Sequence, residues 1–245
     1  MRQDYWGQRA KRYDRLRWAN DSNYIGMILS SVAFDRWDSV LDVGTGTGIM
    51  ARAVSPFVYI VFGLDNSKRM LRRAKRANSC KNIFYVEGDI RDVKTPDFSF
   101  NKIIARSVFH HLGNDAQEAM NECYRVLKPR GRIVLAQAVP PSDDVLYEYT
   151  EIMKLKDNRT VQTKDELKAM MRQAGFTNVN LSTFVYESFS LRNWLENNAL
   201  SKDTQERIFE LHKYSSDEFA EAFNLRVING DCLINVRNAI LVGEK

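Results

Sequence analysis

The sequence predicts an α/β protein: a doubly wound, mostly parallel sheet of seven strands, with an N-terminal helical lid and a helical insertion near the C-terminus. Three observations point there. Short apolar runs alternate with amphipathic helical patterns from residue 39 to residue 139, the signature of βαβ units with helices on both faces of a parallel sheet. The first strand breaks into Gly44-Thr-Gly-Thr-Gly48 directly before a helix, and the next strand ends on Asp65. Asn229-Gly230 between two late apolar runs signals a hairpin and hence some antiparallel pairing.

The elements follow in order. Residues 3–18 place Trp6, Ala10, Tyr13 and Leu16 or Arg17 on one side of an amphipathic helix, and residues 24–34 form a second helix. Residues 39–43 are a buried strand and 49–54 a helix. The second strand is 59–64, followed by a helix over 67–78 with Ser67 as its N-cap. Strands at 82–86 and 102–105 come next, the latter leading into Phe109-His-His-Leu112. A helix over 116–126 is stopped by Lys128-Pro-Arg-Gly131, and 132–139 is the fifth strand. Beyond it, 163–174 is a helix ended by Gly175, and 178–187 is strand-like. Residues 190–223 read as polar helix anchored by Leu191, Trp194, Leu195, Ile208, Phe209, Leu211, Phe219 and Phe223, before strands at 225–228 and 232–242. The whole is expected to be a single domain: lid 1–37, core 38–139, and a C-terminal part 140–245 with its cap at about 190–223.

Composition excludes several classes. The chain of 245 residues is 44% apolar and 27% charged, which is globular rather than fibrous or disordered. No apolar run reaches the ~20 residues of a membrane span, and the N-terminus has no apolar h-region. Cys80, Cys123 and Cys232 lie far apart, with no metal-ligand spacing. A cytoplasmic protein without a metal is the expectation. The net charge of +5 raises the question of a nucleic-acid partner. Its distribution answers in part: residues 68–81 hold seven bases and no acid, while 140–245 sum to −4. Met70, Leu71, Ala74 and Ala77 form an apolar stripe within the basic segment, so the bases read as the solvated face of a helix.

The motif with chemical content is Asp42-Val-Gly44-Thr-Gly46-Thr-Gly48 between strand and helix. Glycines let backbone N–H groups approach a ligand without a Cβ in the way, and the helix N-terminus adds a positive field. Asp65 then stands where a carboxylate accepts both hydroxyls of a ribose. The dinucleotide pattern G-x-G-x-x-G fails, because its third glycine falls on Ile49. The phosphate loop G-x-x-x-x-G-K is absent.

Val40-Leu-Asp-Val-Gly-Thr-Gly-Thr-Gly48, Gly63-Leu-Asp65 with Ser67 and Met70-Leu71, Glu87-Gly-Asp-Ile90, Ser107-Val-Phe-His-His-Leu112 and Arg125-Val-Leu-Lys-Pro-Arg-Gly-Arg-Ile-Val-Leu135 occur in that order. The set resembles class I S-adenosylmethionine-dependent methyltransferases, especially the small-molecule group that includes ubiquinone/menaquinone-biosynthesis enzymes. That resemblance implies a Rossmann-like fold and S-adenosyl-L-methionine as cofactor. It implies that Gly44, Gly46 and Gly48 wrap the methionine part, that Asp42 lies near its amino group, and that Asp65 holds the ribose. Asp89 and the Ile90 backbone would read the adenine, and Arg106 and Ser107 would border the sulfonium. Thr45, Asn66 and Met70 complete the cofactor set, with Tyr13 from the lid. The usual Lys-Pro-Gly-Gly turn is Lys128-Pro-Arg-Gly131 here, a departure expected to leave the fold intact.

Methyl transfer from a sulfonium is an in-line displacement in which alignment alone contributes ~7–11 kcal/mol. His110 and His111 are the general-base candidates if the acceptor must lose a proton; the competing reading has one packed beneath the cofactor and the other capping a helix or facing solvent. Trp6, Tyr147, Trp194 and Arg226 are candidate substrate contacts, with a salt bridge from Arg226 to Asp231 the alternative for the last. The expected acceptor is a small molecule. The alternatives are an RNA or protein methyltransferase docking through the basic helix, and a non-catalytic S-adenosylmethionine-binding protein. The stretch Ala105-Arg-Ser-Val-Phe-His110 lacks the Asn/Asp-Pro-Pro-Tyr pattern of base N-methylation, which weighs against RNA.

Overall fold

A computed structural model describes residues 5–157 and 159–245, and gathers every strand into one sheet. The chain runs through helices α1 (Tyr5–Arg9) and α2 (Ser22–Ser31), strand β1 (Ser39–Val43), α3 (Ile49–Val54), β2 (Ile60–Asp65), α4 (Lys68–Ala77), β3 (Ile83–Glu87) and β4 (Phe100–Arg106). It continues with α5 (Ala116–Val126), β5 (Leu127–Ala138), α6 (Leu146–Asp157), α7 (Lys164–Gln173), β6 (Thr177–Ser190), α8 (Leu191–Glu196), α9 (Lys202–Lys213), α10 (Asp217–Ala222), β7 (Arg226–Ile228) and β8 (Asp231–Glu244). Seven strands lie along the path β3-β2-β1-β4-β5-β8-β6, and the short β7 pairs with β8 as an eighth. Neighbours from β3 to β5 are parallel; β8 runs antiparallel to both β5 and β6.

Side chains alternate across the sheet. Leu41, Ile103, Ile133 and Leu241 face one layer, with Met120 of α5 and Leu167 and Met171 of α7. Val40, Ile104, Val134 and Ile240 face the other, with Tyr24 and Ile28 of α2 and Val54 of α3. A third core lies in the cap: Leu16 and Ala19 from the N-terminal segment meet Met153, Leu191, Ile208, Phe219, Phe223 and Ile234. Among the described residues no helix is long and apolar enough to cross a membrane.

Several expectations need correction. The single helix over 3–18 is instead α1 followed by 3-10 turns at Tyr13–Arg15 and Arg17–Asn20; Gln3 and Asp4 lie outside the described residues. Leu16 is extended between the turns, and the Asn20 amide donates to the Asp14 and Leu16 carbonyls across the break. The break turns Leu16 and Ala19, both fully buried, into the cap core. The polar stretch 190–223 is three helices rather than one. Ser190, Ser201 and Ser216 each accept a backbone N–H three residues on, so each cuts the stretch with an N-cap. Helix α6 was not expected at all, although Tyr149, Ile152, Met153 and Lys156 recur at helical spacing along its buried side. Strand β5 starts at Leu127, because the Lys128–Gly131 segment pairs with the chain end: Arg130 N–H donates to the Lys245 carbonyl at 2.8 Å. On α4, Met70, Leu71 and Ala74 are buried while Ala77, the last of the expected stripe, is exposed with the bases.

Candidate active site

The glycine loop follows β1. Gly44, Gly46 and Gly48 all have positive φ (63°, 57° and 84°). A Cβ on Gly44 would strike Val108 at 2.6 Å, and one on Gly48 would run into the Tyr85 hydroxyl, but one on Gly46 meets nothing closer than 3.9 Å. The outer two glycines are required by packing; the middle one leaves an open face. Asp42 is buried beneath the loop and accepts from the Thr45 hydroxyl at 2.6 Å and Ala51 N–H at 3.1 Å. Burial pushes its carboxyl up to about 6 despite those bonds and the nearby Arg106. Asp65, at the end of β2, accepts Gly46 N–H and Ser67 N–H, each at 2.8 Å, and burial raises its carboxyl too. The Thr47 hydroxyl is buried without a hydrogen-bond partner.

Around this loop, Asn66 is exposed at the bend after β2, Met70 is in the α4 core stripe, and Ile90 is buried in the main core. Asp89 is gripped by Arg91, whose Nη2 lies 2.6 Å from Oδ2 and whose Nη1 reaches Asp115 at 2.5 Å. The Arg91 bond holds the Asp89 carboxyl below its usual range.

Strand β4 ends at Arg106, buried, with Nη1 donating to the Ala19 carbonyl at 2.9 Å. Ser107 then adopts φ 57° and donates its N–H to the Ala136 carbonyl at 2.8 Å. It stands on the wall of a cavity lined largely by aromatic side chains. Trp6, Tyr13, Ser107, His110, His111 and Trp194, all expected at the site, meet there. The His110 and His111 ring centroids are 4.0 Å apart, and Trp6 sets its edge on His111 at 4.6 Å. Burial drives both imidazoles well below their ordinary pKa, with Arg159 adding to the effect and His110 also pressing on His111. Both are therefore neutral at pH 7, and a ring nitrogen of each has a lone pair.

Two expected substrate residues are elsewhere. Tyr147 is 78% exposed on the outer side of α6, and Tyr149, two positions on, takes the cavity-facing place. Arg226 is exposed on β7 and donates to the Ser188 hydroxyl at 2.8 Å. Asp231 is taken instead by Arg192 N–H at 3.0 Å and the Ser190 hydroxyl, so the expected Arg226–Asp231 bridge gives way to helix-cap bonds. Arg9, Tyr24, Lys156, Arg159 and His212 also line the cavity. Only Lys156 had a readable signal, its place on the buried side of α6. On the basic helix, Arg73 is paired with Asp14 at 2.7 Å and Lys68 with Glu87 at 3.6 Å.

Comparison with known proteins fits this geometry. Residues 41–135 match the family described as "Methyltransferase domain". The chain is 28% identical over 227 residues to the uncharacterized methyltransferase YcgJ of Bacillus subtilis, covering 89% of this chain and 88% of that protein. The crystal structure of YcgJ superposes with a TM-score of 0.81 at 23% identity, over 92% of this chain and 99% of that one. A demethylmenaquinone methyltransferase of Tropheryma whipplei is 29% identical over 213 residues (74% of this chain, 86% of that protein). An arsenite methyltransferase of Halobacterium salinarum is 27% identical over 191 residues, 74% of this chain, and the chain spans about half (48%) of its length. The chain is a class I S-adenosylmethionine-dependent methyltransferase with a Rossmann-like fold.

Its cofactor is S-adenosyl-L-methionine, and the residues present fit that molecule. The open face at Gly46 gives a ligand room against the loop backbone. The Asp65 carboxylate, with one N–H on each oxygen, keeps lone pairs for a diol. The orphan Thr47 hydroxyl shows a loop with polar capacity still to be satisfied.

Proposed function

We propose that this enzyme transfers a methyl group to a small-molecule acceptor held in the cavity beside Ser107. The observation that carries the reading is the cavity itself: lined largely by aromatic rings, with Ser107, the first residue after β4, on its wall. S-adenosylmethionine supplies an electrophilic methyl on a sulfonium. The chain's own part is to bind and align. Gly44, Gly46 and Gly48 carry the backbone donors around the methionine portion, Asp42 with Thr45 anchors the loop beneath, Asp65 takes the ribose hydroxyls, and Asp89 with Ile90 faces the adenine. Arg106 fixes the N-terminal segment through Ala19, and Tyr13 and Trp6 close over the cavity from that segment. Exclusion of water and orientation of the acceptor account for most of the rate. His110 and His111, already deprotonated, accept a proton where the acceptor atom carries one. Trp194 packs against the acceptor. The whole chain acts as one domain, and its widely separated free cysteines agree with a cytoplasmic setting.

Titration calorimetry tests this reading. S-adenosylmethionine and S-adenosylhomocysteine bind and NAD does not. Asp65→Ala weakens S-adenosylhomocysteine by about tenfold or more, the worth of hydrogen bonds to a charged group. Unchanged affinity in that variant overturns the ribose assignment.

A further inference from the structure

Helix α2 turns Tyr24 and Ile28 inward onto the layer that covers the sheet. The Asp21 carboxylate fixes its first turn by accepting Tyr24 N–H at 2.7 Å, and so sets the direction in which the Tyr24 ring leaves the helix. The ring stacks on Phe184 of β6, with centroids 4.9 Å apart and planes 26° from parallel. For that packing a phenylalanine would serve as well. The hydroxyl sets the residue apart. It is buried, and among the described residues it has no hydrogen-bond partner. Tyr24 is only 1% exposed, yet it lines the cavity beside Ser107.

The groups around the hydroxyl explain why it stays unpaired. Burial pushes its pKa up, Arg106 draws it part of the way back, and Tyr13 adds to the rise. The hydroxyl therefore keeps its proton and is a donor. Charge effects fall with distance, so the influence of Arg106 and Tyr13 sets the phenolic oxygen on the side of the β4 exit and the N-terminal segment, where the cavity wall lies. Arg106 has only N–H donors and cannot accept the Tyr24 proton. Its Nη1 is committed to the Ala19 carbonyl at 2.9 Å, and its guanidinium lies 5.7 Å from the Trp18 ring centroid. The Tyr13 ring meets Trp18 edge-on at 5.9 Å.

A buried donor without a partner loses its water and gains nothing in return. On a helix face where phenylalanine satisfies the packing, such a group breaks the rule of the core and fits the rule of a ligand site. We infer that Tyr24 is a specificity-determining residue: its hydroxyl donates a hydrogen bond to a carbonyl oxygen or ring nitrogen of the methyl-accepting molecule. This rests on the cavity being the acceptor site proposed above. A substrate bearing that atom satisfies the hydroxyl. An analogue of the same shape without it leaves the hydroxyl unpaired and is disfavoured. The aromatic wall receives the apolar remainder, so the one lone pair at Tyr24 fixes the orientation of the molecule.

The test compares the full chain with its Tyr24→Phe variant, which keeps the ring and its stacking on Phe184 and removes one oxygen. Melts of the unliganded proteins come first. Tm holds or rises in the variant, because no hydrogen bond of the folded chain is lost; a fall in Tm reveals a partner within the chain and overturns the inference. Calorimetry with S-adenosylhomocysteine follows and gives equal affinities. A weaker variant assigns the hydroxyl to the cofactor and overturns the inference. No binding to either protein removes the cofactor site and, with it, the acceptor reading on which this inference stands. Both proteins are then saturated with S-adenosylhomocysteine and titrated with acetophenone and α-methylstyrene by ligand-observed NMR. These probes share one shape and differ in C=O against C=CH2. In Tyr24→Phe acetophenone binds more weakly, and the ratio of the two affinities shifts by about tenfold toward the alkene. An unchanged ratio overturns the inference and leaves the acceptor cavity standing. Binding of neither probe removes the cavity reading and the inference together.

Discussion

Replacing Gly46 by alanine separates the loop's role in folding from its role in binding. Gly46 has φ 57°, and a Cβ there meets no atom nearer than 3.9 Å. Its structural cost is therefore the left-handed backbone alone, ~1–2 kcal/mol for a residue with a Cβ, lowered by ~0.4–1 kcal/mol through the stiffer unfolded chain. Gly113 is a matched control: φ 58°, nothing within 4 Å of its would-be Cβ, and no place in the glycine loop. Gly46→Ala and Gly113→Ala should each lower Tm by a similar few degrees, at about 2–4 °C per kcal/mol for a chain of this size. They should differ in affinity. The added methyl of Gly46→Ala occupies the open face offered to the cofactor, so S-adenosylhomocysteine should bind about tenfold or more weaker, ~1.4 kcal/mol, while Gly113→Ala binds as the parent does. Calorimetry and thermal melts on both variants decide it. Equal affinities in the two variants would refute the claim that the cofactor lies against Gly46.

Other outcomes follow from the same geometry. Arg130 holds φ 63° where the related turn has glycine; Arg130→Gly keeps the N–H to Lys245 and should raise Tm, by about 0.5–1 kcal/mol worth of relieved strain. His212 is buried, with Nδ1 2.8 Å from the Ile208 carbonyl, and burial lowers its pKa to about 4. The unfolded chain, with histidine near 6.5, then binds more protons than the folded one, so this group's contribution to stability is complete above ~6.5 and is lost as pH falls toward 4. Denaturant melts of His212→Leu between pH 7 and pH 4 should show a shallower pH dependence, by up to ~1.4 kcal/mol per pH unit; an unchanged slope argues that His212 is not buried neutral. Tyr147→Ala should leave stability within ~0.5 kcal/mol and leave methyl transfer unchanged, whereas Tyr149→Ala should cost ~3 kcal/mol and impair turnover; reversal of that pair would contradict the placement of α6.

Parts of the candidate site were legible because their signals are local. Asp42, the three loop glycines and Asp65 sit at strand ends whose apolar runs and breaks span fewer than 30 residues, and the sheet places such ends side by side. His110, His111 and Ser107 were found for the same reason, being the exit of β4. Tyr147 and Tyr149 could not be told apart without α6, because two tyrosines two residues apart point to opposite sides of a helix and only the helix phase says which is inward. Arg226 looked available because β7 reads as part of a hairpin, yet Asp231 already serves as a cap acceptor for α8.

The sequence by itself determined the alternating α/β architecture, the glycine loop with its paired carboxylates, and the solvated character of the basic α4 segment. Each depends on hydrophobic period or on spacing within one βαβ unit. The tertiary structure alone decided the cavity proposed to hold the acceptor. Its wall is drawn from the N-terminal turns, the β4 exit, α6 and the cap, stretches far apart in sequence whose mutual positions follow from packing. It decided which charged side chains face that cavity as well: a segment's net charge counts every side chain equally, but a ligand meets only those facing inward. In residues 140–245 the inward ones are Lys156 and Arg159.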